Sequence, residues 1–245
     1  MSYVQSFSPG TALAPYIEKY YIVQSGGGAE IVLDRVFPDG GIYLTFSLEG
    51  EVYDHSRNVF VRPKTLYLAG TMTHFHNEKF STNTNLFGIH FKPACFSFFF
   101  DYPLHEIADE MIEFQQMMLP DTVPSESHLV TIVEKFLLSR LSLPDFNLQP
   151  ILRDIYRTHG NIEIGQLASE HFLTERKLER LFKRHTGIGP QAFSKIVRFD
   201  YALHKIIHRD SRTSLLDIAY DCGYYDHAHL TREIKKYTGL TPSQL

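Results

Sequence analysis

Between residues 15 and 92 apolar positions recur every second residue. Ile42, Leu44, Phe46 and Leu48 alternate with Tyr43, Thr45 and Ser47; Phe87, Ile89 and Phe91 alternate with Gly88 and His90. Successive side chains of an extended chain point to opposite faces, so this period marks half-buried strands. Gly26-Gly27-Gly28, Pro38-Asp39-Gly40-Gly41 and Glu49-Gly50 supply turns between them. Several short strands with frequent turns predict a barrel or sandwich. After Pro93 the period lengthens. Ile107, Met111, Ile112 and Phe114 fall at helical spacing, and Leu129, Ile132, Val133, Phe136, Leu137 and Leu141 form a stripe along a second helix. That stripe reads as core or as part of a dimer contact. Residues 142–150, with Pro144 and Pro150, read as a linker. From Ile151 onward no strand pattern occurs, and helices are expected near 150–159, 163–170, 174–184, 190–208, 214–221 and 225–237.

The helical part contains an internal repeat. Leu167-Ala168-Ser169-Glu170 is followed, after a gap, by Leu178-Glu179-Arg180-Leu181-Phe182-Lys183-Arg184-His185-Thr186-Gly187. Ile218-Ala219-Tyr220-Asp221 is followed by Leu230-Thr231-Arg232-Glu233-Ile234-Lys235-Lys236-Tyr237-Thr238-Gly239. Each copy has the layout of a helix-turn-helix. A small residue, Ala168 or Ala219, lets a second helix approach closely. Gly223 suits a tight turn in the second copy, and Thr174 and Asp226 are N-cap candidates. Leu178, Leu181 and Phe182, and then Leu230 and Ile234, face inward. The opposite faces are polar and basic: Arg176, Lys177, Glu179, Arg180, Lys183 and Arg184 in one helix, His227, His229, Thr231, Arg232, Lys235 and Lys236 in the other. An α-helix fits the major groove, where Arg and Lys reach guanine edges and phosphates. Lys183 and Lys235, one turn further along, are better placed for the phosphate backbone than for bases. One such helix reads most simply as a solvated face; two matched copies favour DNA.

Charge changes the picture. The whole chain carries −4, which argues against DNA binding. Residues 1–150 hold 9 Lys+Arg against 17 Asp+Glu, a net of −8; residues 151–245 hold 15 against 11, a net of +4. A basic half beside an acidic one points to nucleic-acid contact by the basic half. No apolar run approaches a membrane span, and the start has no signal-peptide pattern, so no membrane contact and a cytoplasmic location are expected. Two cysteines far apart, Cys95 and Cys222, fit reduced thiols better than a disulfide framework.

Residues 160–245 resemble the DNA-binding module of the AraC/XylS family, bacterial transcription factors. The resemblance rests on Arg180-Leu181-Phe182-Lys183-Arg184-His185-Thr186-Gly187, on Asp217-Ile218-Ala219-Tyr220-Asp221-Cys222-Gly223-Tyr224, and on Tyr237-Thr238-Gly239-Leu240-Thr241-Pro242-Ser243-Gln244. It implies base contacts by Arg176, Glu179 and Arg180 in the first unit and His227, Ala228 and Arg232 in the second, with the helix from Pro190 to His208 joining the two. Leu230 and Ile234 depart from that family's usual phenylalanines, and its usual aromatic-Arg ending does not follow. Leu13-Ala14-Pro15-Tyr16-Ile17-Glu18-Lys19-Tyr20-Tyr21, Phe37-Pro38-Asp39-Gly40-Gly41 and Phe87-Gly88-Ile89-His90-Phe91-Lys92-Pro93 resemble an uncharacterised domain that often precedes such modules. Better-known relatives carry there a cupin-like barrel that senses a small molecule or dimerises.

The expected fold is therefore α+β and multidomain. A cupin-like β-barrel with trailing helices, a sensor or dimerisation domain, occupies 1–143; a linker spans 144–150; an all-α double helix-turn-helix domain spans 151–245. The expected function is sequence-specific binding of double-stranded DNA to regulate transcription, without enzymatic activity or cofactor, gated by a small-molecule effector or by homodimerisation. RNA polymerase is the further partner if the protein activates. Arg35, Asp39, Arg62, His74, His76 and His90 are the effector-site candidates. His74 and His76, two apart on a strand, share a face, and His90 could join them. No matched carboxylate is evident, so the histidines read as structural or solvated and no metal is expected. Phe96-Ser97-Phe98-Phe99-Phe100 reads as core, or else as a contact patch. Three rivals remain: a cupin-type metal enzyme using His74, His76 and His90; an alkyl-repair protein with reactive cysteines, against which Cys95 and Cys222 lie outside any acceptor motif; and a non-specific DNA-coating protein, for which +4 is too modest.

Overall fold

The computed structural model describes residues 2–25, 32–80, 83–117, 126–210 and 213–245. The Gly26-Gly27-Gly28 turn signal lies outside these. Among the described residues ten strands come first: β1 Ser2–Phe7, β2 Ile17–Ser25, β3 Val32–Val36, β4 Ile42–Glu49, β5 Val52–Asp54, β6 Val59–Val61, β7 Leu66–Ala69, β8 His76–Phe80, β9 Asn85–Phe91 and β10 Met111–Glu113. They form a six-stranded sheet in the order β1-β2-β9-β4-β7-β10 and a four-stranded sheet in the order β3-β8-β5-β6. Neighbouring strands pair antiparallel. Among the described residues the expected barrel does not close; the strands remain in two sheets.

The period-two pattern has a second meaning here. On one face of the large sheet, Ile17, Tyr20, Ile22, Leu44, Phe87, Ile89 and Phe91 join a core with Phe96, Phe98, Phe99 and Phe100 and with helix α1, Glu126–Arg140. On the other face Val23, Tyr67, Ala69 and Leu86 pack against Val52, Val61 and Phe80 of the small sheet, with Tyr21 and Tyr43 beside them. Both faces are covered, so Thr45 and Ser47 are buried and the strands are not half-solvated. The phenylalanine run is core. So are Leu129, Val133 and Leu137 of the α1 stripe, fully buried and unavailable for a dimer contact, with Phe136 and Leu141 packed against the same core. Met111–Glu113 corrects the helical expectation around 107–114. It is a strand paired with β7, Ile112 opposite Leu68, and pairing with a distant edge overrides the local spacing.

The remainder is helical: α2 Gln149–Arg157, α3 Ile164–Glu170, α4 Glu175–Thr186, α5 Pro190–Ile207, α6 Leu215–Asp221 and α7 His227–Thr238. Helices α3 and α4 make one helix-turn-helix unit, α6 and α7 the other. Helix α5 has 18 residues, which at about 1.5 Å each spans about 27 Å. One cluster holds these helices together, from Leu152 and Ile155 through Leu167, Ala168, Leu178 and Phe182 to Phe193, Phe199, Ala219, Leu230 and Ile234. Leu230 and Ile234 are completely buried, so the smaller residues fill the positions where phenylalanine was expected.

Candidate nucleic-acid interface

The two copies of the repeat fold alike because each begins and ends on the same local chemistry. Thr174 caps α4 by accepting from the Lys177 amide at 3.2 Å, and Asp226 caps α7 by accepting from the His229 amide at 2.6 Å. Both helices end in threonine and glycine. The hydroxyls of Thr186 and Thr238 donate back to the carbonyls of Phe182 and Ile234, at 2.8 and 2.7 Å. The next residues, Gly187 and Gly239, take φ of +84° and +72°, a left-handed exit that costs glycine little.

Between these caps each helix buries one face and exposes the other. Arg176, Arg180 and Lys183 stand four and three residues apart, so they share an exposed face of α4. Ala228, Arg232 and Lys235 hold the equivalent places on α7, and His227 is exposed beside them. Arg176, Lys177, Arg180, Arg232 and Lys235 form no ion pair among the described residues. Glu179 is half-buried and pairs with Lys183 at 3.2 Å. Thr231 and His229 are half-buried; the His229 ring lies edge-on to buried Tyr224, turned from the exposed stripe. Arg184 belongs elsewhere. Its guanidinium lies 3.1 Å from Asp145 and 3.6 Å from Asp101.

The C-terminal ends of both exposed helices dock on the sheet region at equivalent places. The main-chain carbonyl of Thr186 accepts from Thr71 Oγ1 at 2.6 Å, and that of Thr238 accepts from Arg35 Nη1 at 2.9 Å. Glycine is needed for close approach as well as for φ. A Cβ on Gly187 would lie 2.9 Å from the Leu104 carbonyl oxygen, and one on Gly239 would lie 2.7 Å from the Phe75 ring. His185 is buried in the same seam, Nδ1 2.9 Å from Ser97 Oγ. Arg176, Lys177 and Arg180 on α4, and His227, Ala228 and Arg232 on α7, stay uncovered.

The six effector candidates do not converge. Arg35 is at the seam, 5.0 Å above the Phe75 ring and bonded to Asn77. Asp39 contacts His90 at 3.1 Å and accepts from Tyr43 Oη and the Gly41 amide. Burial opposes the Asp39 carboxylate, but these partners outweigh it and hold its pKa below the usual range. Arg62 pairs with Glu113 on the surface. His74 and His76 come together, not with His90 but with Asp109. Sequence reasoning missed that carboxylate because it lies over thirty residues away in an irregular segment.

Between the two sheets lies a cavity of about 190 Å³, lined by Lys19, Tyr21, Tyr43, Arg57, Glu78 and several apolar side chains. Arg57 is buried, and its Nη2 has no hydrogen-bond partner among the described residues. Cys95 and Cys222 are buried free thiols, pushed by burial up to about 12 and about 11.

A family model described as a helix-turn-helix domain matches residues 167–245, and one described as a domain of unknown function (DUF6597) matches residues 5–113. The chain is 32% identical over 79 residues to the HTH-type transcriptional activator RhaS of Escherichia fergusonii, covering 32% of this chain and 28% of that protein. It is 35% identical over 81 residues to an uncharacterised HTH-type transcriptional regulator of Haemophilus influenzae, covering 33% of this chain and 26% of that one. The chain thus spans less than a third of the length of these curated relatives. Among solved structures, ToxT from Vibrio cholerae aligns over 100% of this chain and 96% of its own, at 10% identity and a TM-score of 0.45. The C-terminal domain of the response regulator yesN from Fusobacterium nucleatum aligns over 39% of this chain and 93% of its own, at 23% identity and a TM-score of 0.36.

Proposed function

We propose that this chain, whose residues 167–245 are a helix-turn-helix domain of the AraC/XylS type, is a sequence-specific DNA-binding regulator of transcription. One observation carries the reading: Arg176, Arg180 and Lys183 on α4, and Ala228, Arg232 and Lys235 on α7, are equivalent in the repeat and solvent-exposed, and their cations, Lys183 apart, form no ion pair among the described residues. Two such faces joined by a rod of about 27 Å suit successive major-groove segments on one side of a duplex, about 34 Å apart. Base contacts fall to Arg176, Glu179, Arg180, His227, Ala228 and Arg232, and Lys183 and Lys235 take phosphates. Arg184, held by Asp101 and Asp145, contributes only if the seam opens.

Residues 1–143 act in this reading as the sensing and assembly domain. With 9 Lys+Arg against 16 Asp+Glu, a net of −7, that part adds no phosphate contacts, so it works by setting the arrangement of the DNA readers. Its cavity suits a small molecule bearing an acceptor for Arg57 Nη2. Homodimerisation and contact with RNA polymerase belong to the same reading, as do a non-enzymatic role and a cytoplasmic location; no helix among the described residues is long and apolar enough to cross a membrane. Selection of bound fragments from a genomic DNA pool with the full chain tests it. A recurring motif recovered at physiological salt is the expected result; fragments with no shared motif would overturn the specific-binding reading.

A further inference from the structure

The stretch from the end of β7 into the first residue of β8 carries a cluster that DNA binding leaves unused. His74 and His76 are two residues apart, and their rings lie near-parallel with centroids 4.8 Å apart. Asp109, just before β10, completes the group, and the three donor atoms all lie within 4.8 Å of one another. Asp109 Oδ1 is 3.3 Å from His74 Nδ1 and 3.9 Å from His76 Nε2. Ligands around a tetrahedral ion, at about 2.0–2.2 Å from it, stand about 3.3 Å apart. A modest closure meets that geometry, and His74, 47% exposed, is free to make it.

His76 is the telling residue. It is 1% exposed, yet neither ring nitrogen has a hydrogen-bond partner among the described residues. Burying an imidazole that way is costly unless something engages it. Its Nδ1 faces Asp54 Oδ2 at 3.7 Å while Nε2 faces Asp109. That is the order of a carboxylate–histidine–metal relay, in which an outer carboxylate orients the ring and frees the other nitrogen. Both carboxylates are themselves positioned. Asp109 accepts from the Thr73 amide and hydroxyl, each at 2.6 Å. Asp54 accepts from Arg57 Nη1 at 2.7 Å and from the Ser56 and Arg57 amides at 2.9 Å.

We propose that His74, His76 and Asp109 bind a divalent transition-metal ion of the zinc type, with Asp54 as the outer partner of His76. Two imidazoles and one carboxylate select such ions over magnesium or calcium, which require oxygen ligands. Three protein ligands leave a fourth position open to water or a small ligand. The site also lies in the stretch that grips both DNA-reading helices. Thr71, three residues before His74, bonds the end of α4, and Phe75, between the two histidines, packs on Gly239 at the end of α7. An ion tying 74 and 76 to 109 would stiffen both contacts, a consequence that rests on the DNA-binding reading.

The test is zinc titration of the metal-stripped full chain in competition with a chromophoric chelator. One ion per chain is expected, unaffected by excess Mg²⁺. His74→Ala and Asp109→Asn should each weaken it at least about tenfold, the loss that follows even from removing an outer partner. His74 is exposed, so its variant should fold, and circular dichroism checks this. His208→Ala, which breaks the stacked His204–His208 pair at the end of α5, is the control and should change nothing. The proposal fails if the full chain does not compete with the chelator for zinc, if both site variants bind like the parent, or if only His208→Ala weakens binding. None of these readouts involves DNA, so the proposal and the DNA-binding reading can fail separately.

Discussion

Thr71 and Thr186, 115 residues apart in sequence, meet in a buried hydrogen bond of 2.6 Å from the Thr71 hydroxyl to the Thr186 main-chain carbonyl. Thr186 ends α4, one of the two helices with an exposed basic face. Its counterpart in the repeat, Thr238, is held in the same way by Arg35. The last carbonyls of a helix lack intrahelical donors and carry its negative dipole end, so both accept readily. The sheet region therefore grips α4 and α7 by their C-terminal ends and sets their mutual geometry without covering their exposed faces.

Thr71→Val should remove the donor and leave the buried Thr186 carbonyl short of a partner. The expected loss is about 1–3 kcal/mol of stability, while Thr71→Ser should retain most of it. Thermal unfolding of the full chain measures both. A valine variant as stable as the serine one would show that the contact contributes nothing.

Arg180→Ala and Arg232→Ala should each cost about 1–3 kcal/mol on the selected DNA site and relax preference over a few base pairs. Lys183→Ala should weaken all DNA about equally and lower the salt slope by about 1. Binding isotherms on matched and mismatched duplexes at several salt concentrations separate the roles. Unchanged sequence preference in both arginine variants would remove the base-reading assignment.

Phe172 follows α3 with φ +56°, where the second unit places Gly223 at +72°. A bulky side chain in the left-handed region is strained, and Phe172, 97% exposed, recovers nothing by burial. Phe172→Gly should therefore leave stability unchanged or raise it by up to about 1 kcal/mol, the strain relieved being partly offset by a more flexible unfolded chain. Clear destabilisation in chemical denaturation would mean that the ring makes a contact that matters to the fold.

His185 sits in the seam with its pKa lowered from 6.5 chiefly by burial; Asp145 and Asp101 oppose the shift and Arg184 reinforces it. The unfolded chain takes up this proton first as pH falls. Stability is thus complete above about pH 6.5 and declines below it until the lowered folded pKa is passed, by at most about 1.4 kcal/mol per pH unit. His185→Asn, which can still meet Ser97, should flatten this part of the pH profile. Equal slopes for parent and variant between pH 7 and 5 would exclude His185 as the source.

The sequence by itself determined the double helix-turn-helix. The expected boundaries fall within about two residues of α2 to α7, because helix period, Thr174 and Asp226 as caps, and Gly187 and Gly239 as exits act over a few neighbouring residues. The repeat in the sequence also puts Arg180 and Arg232 at equivalent positions. What lay beyond reach depended on distant partners. Met111–Glu113 became a strand only because the β7 edge was free to pair with it. Thr45 and Ser47 were buried only because a second sheet covered them. Arg184 was held by Asp101 and Asp145, and His74 and His76 acquired Asp109, not His90, through a segment with no periodic pattern. Local propensity sets which elements form. Which of their faces meet depends on contacts between residues tens to hundreds of positions apart, and the chain must close those loops before the contacts exist.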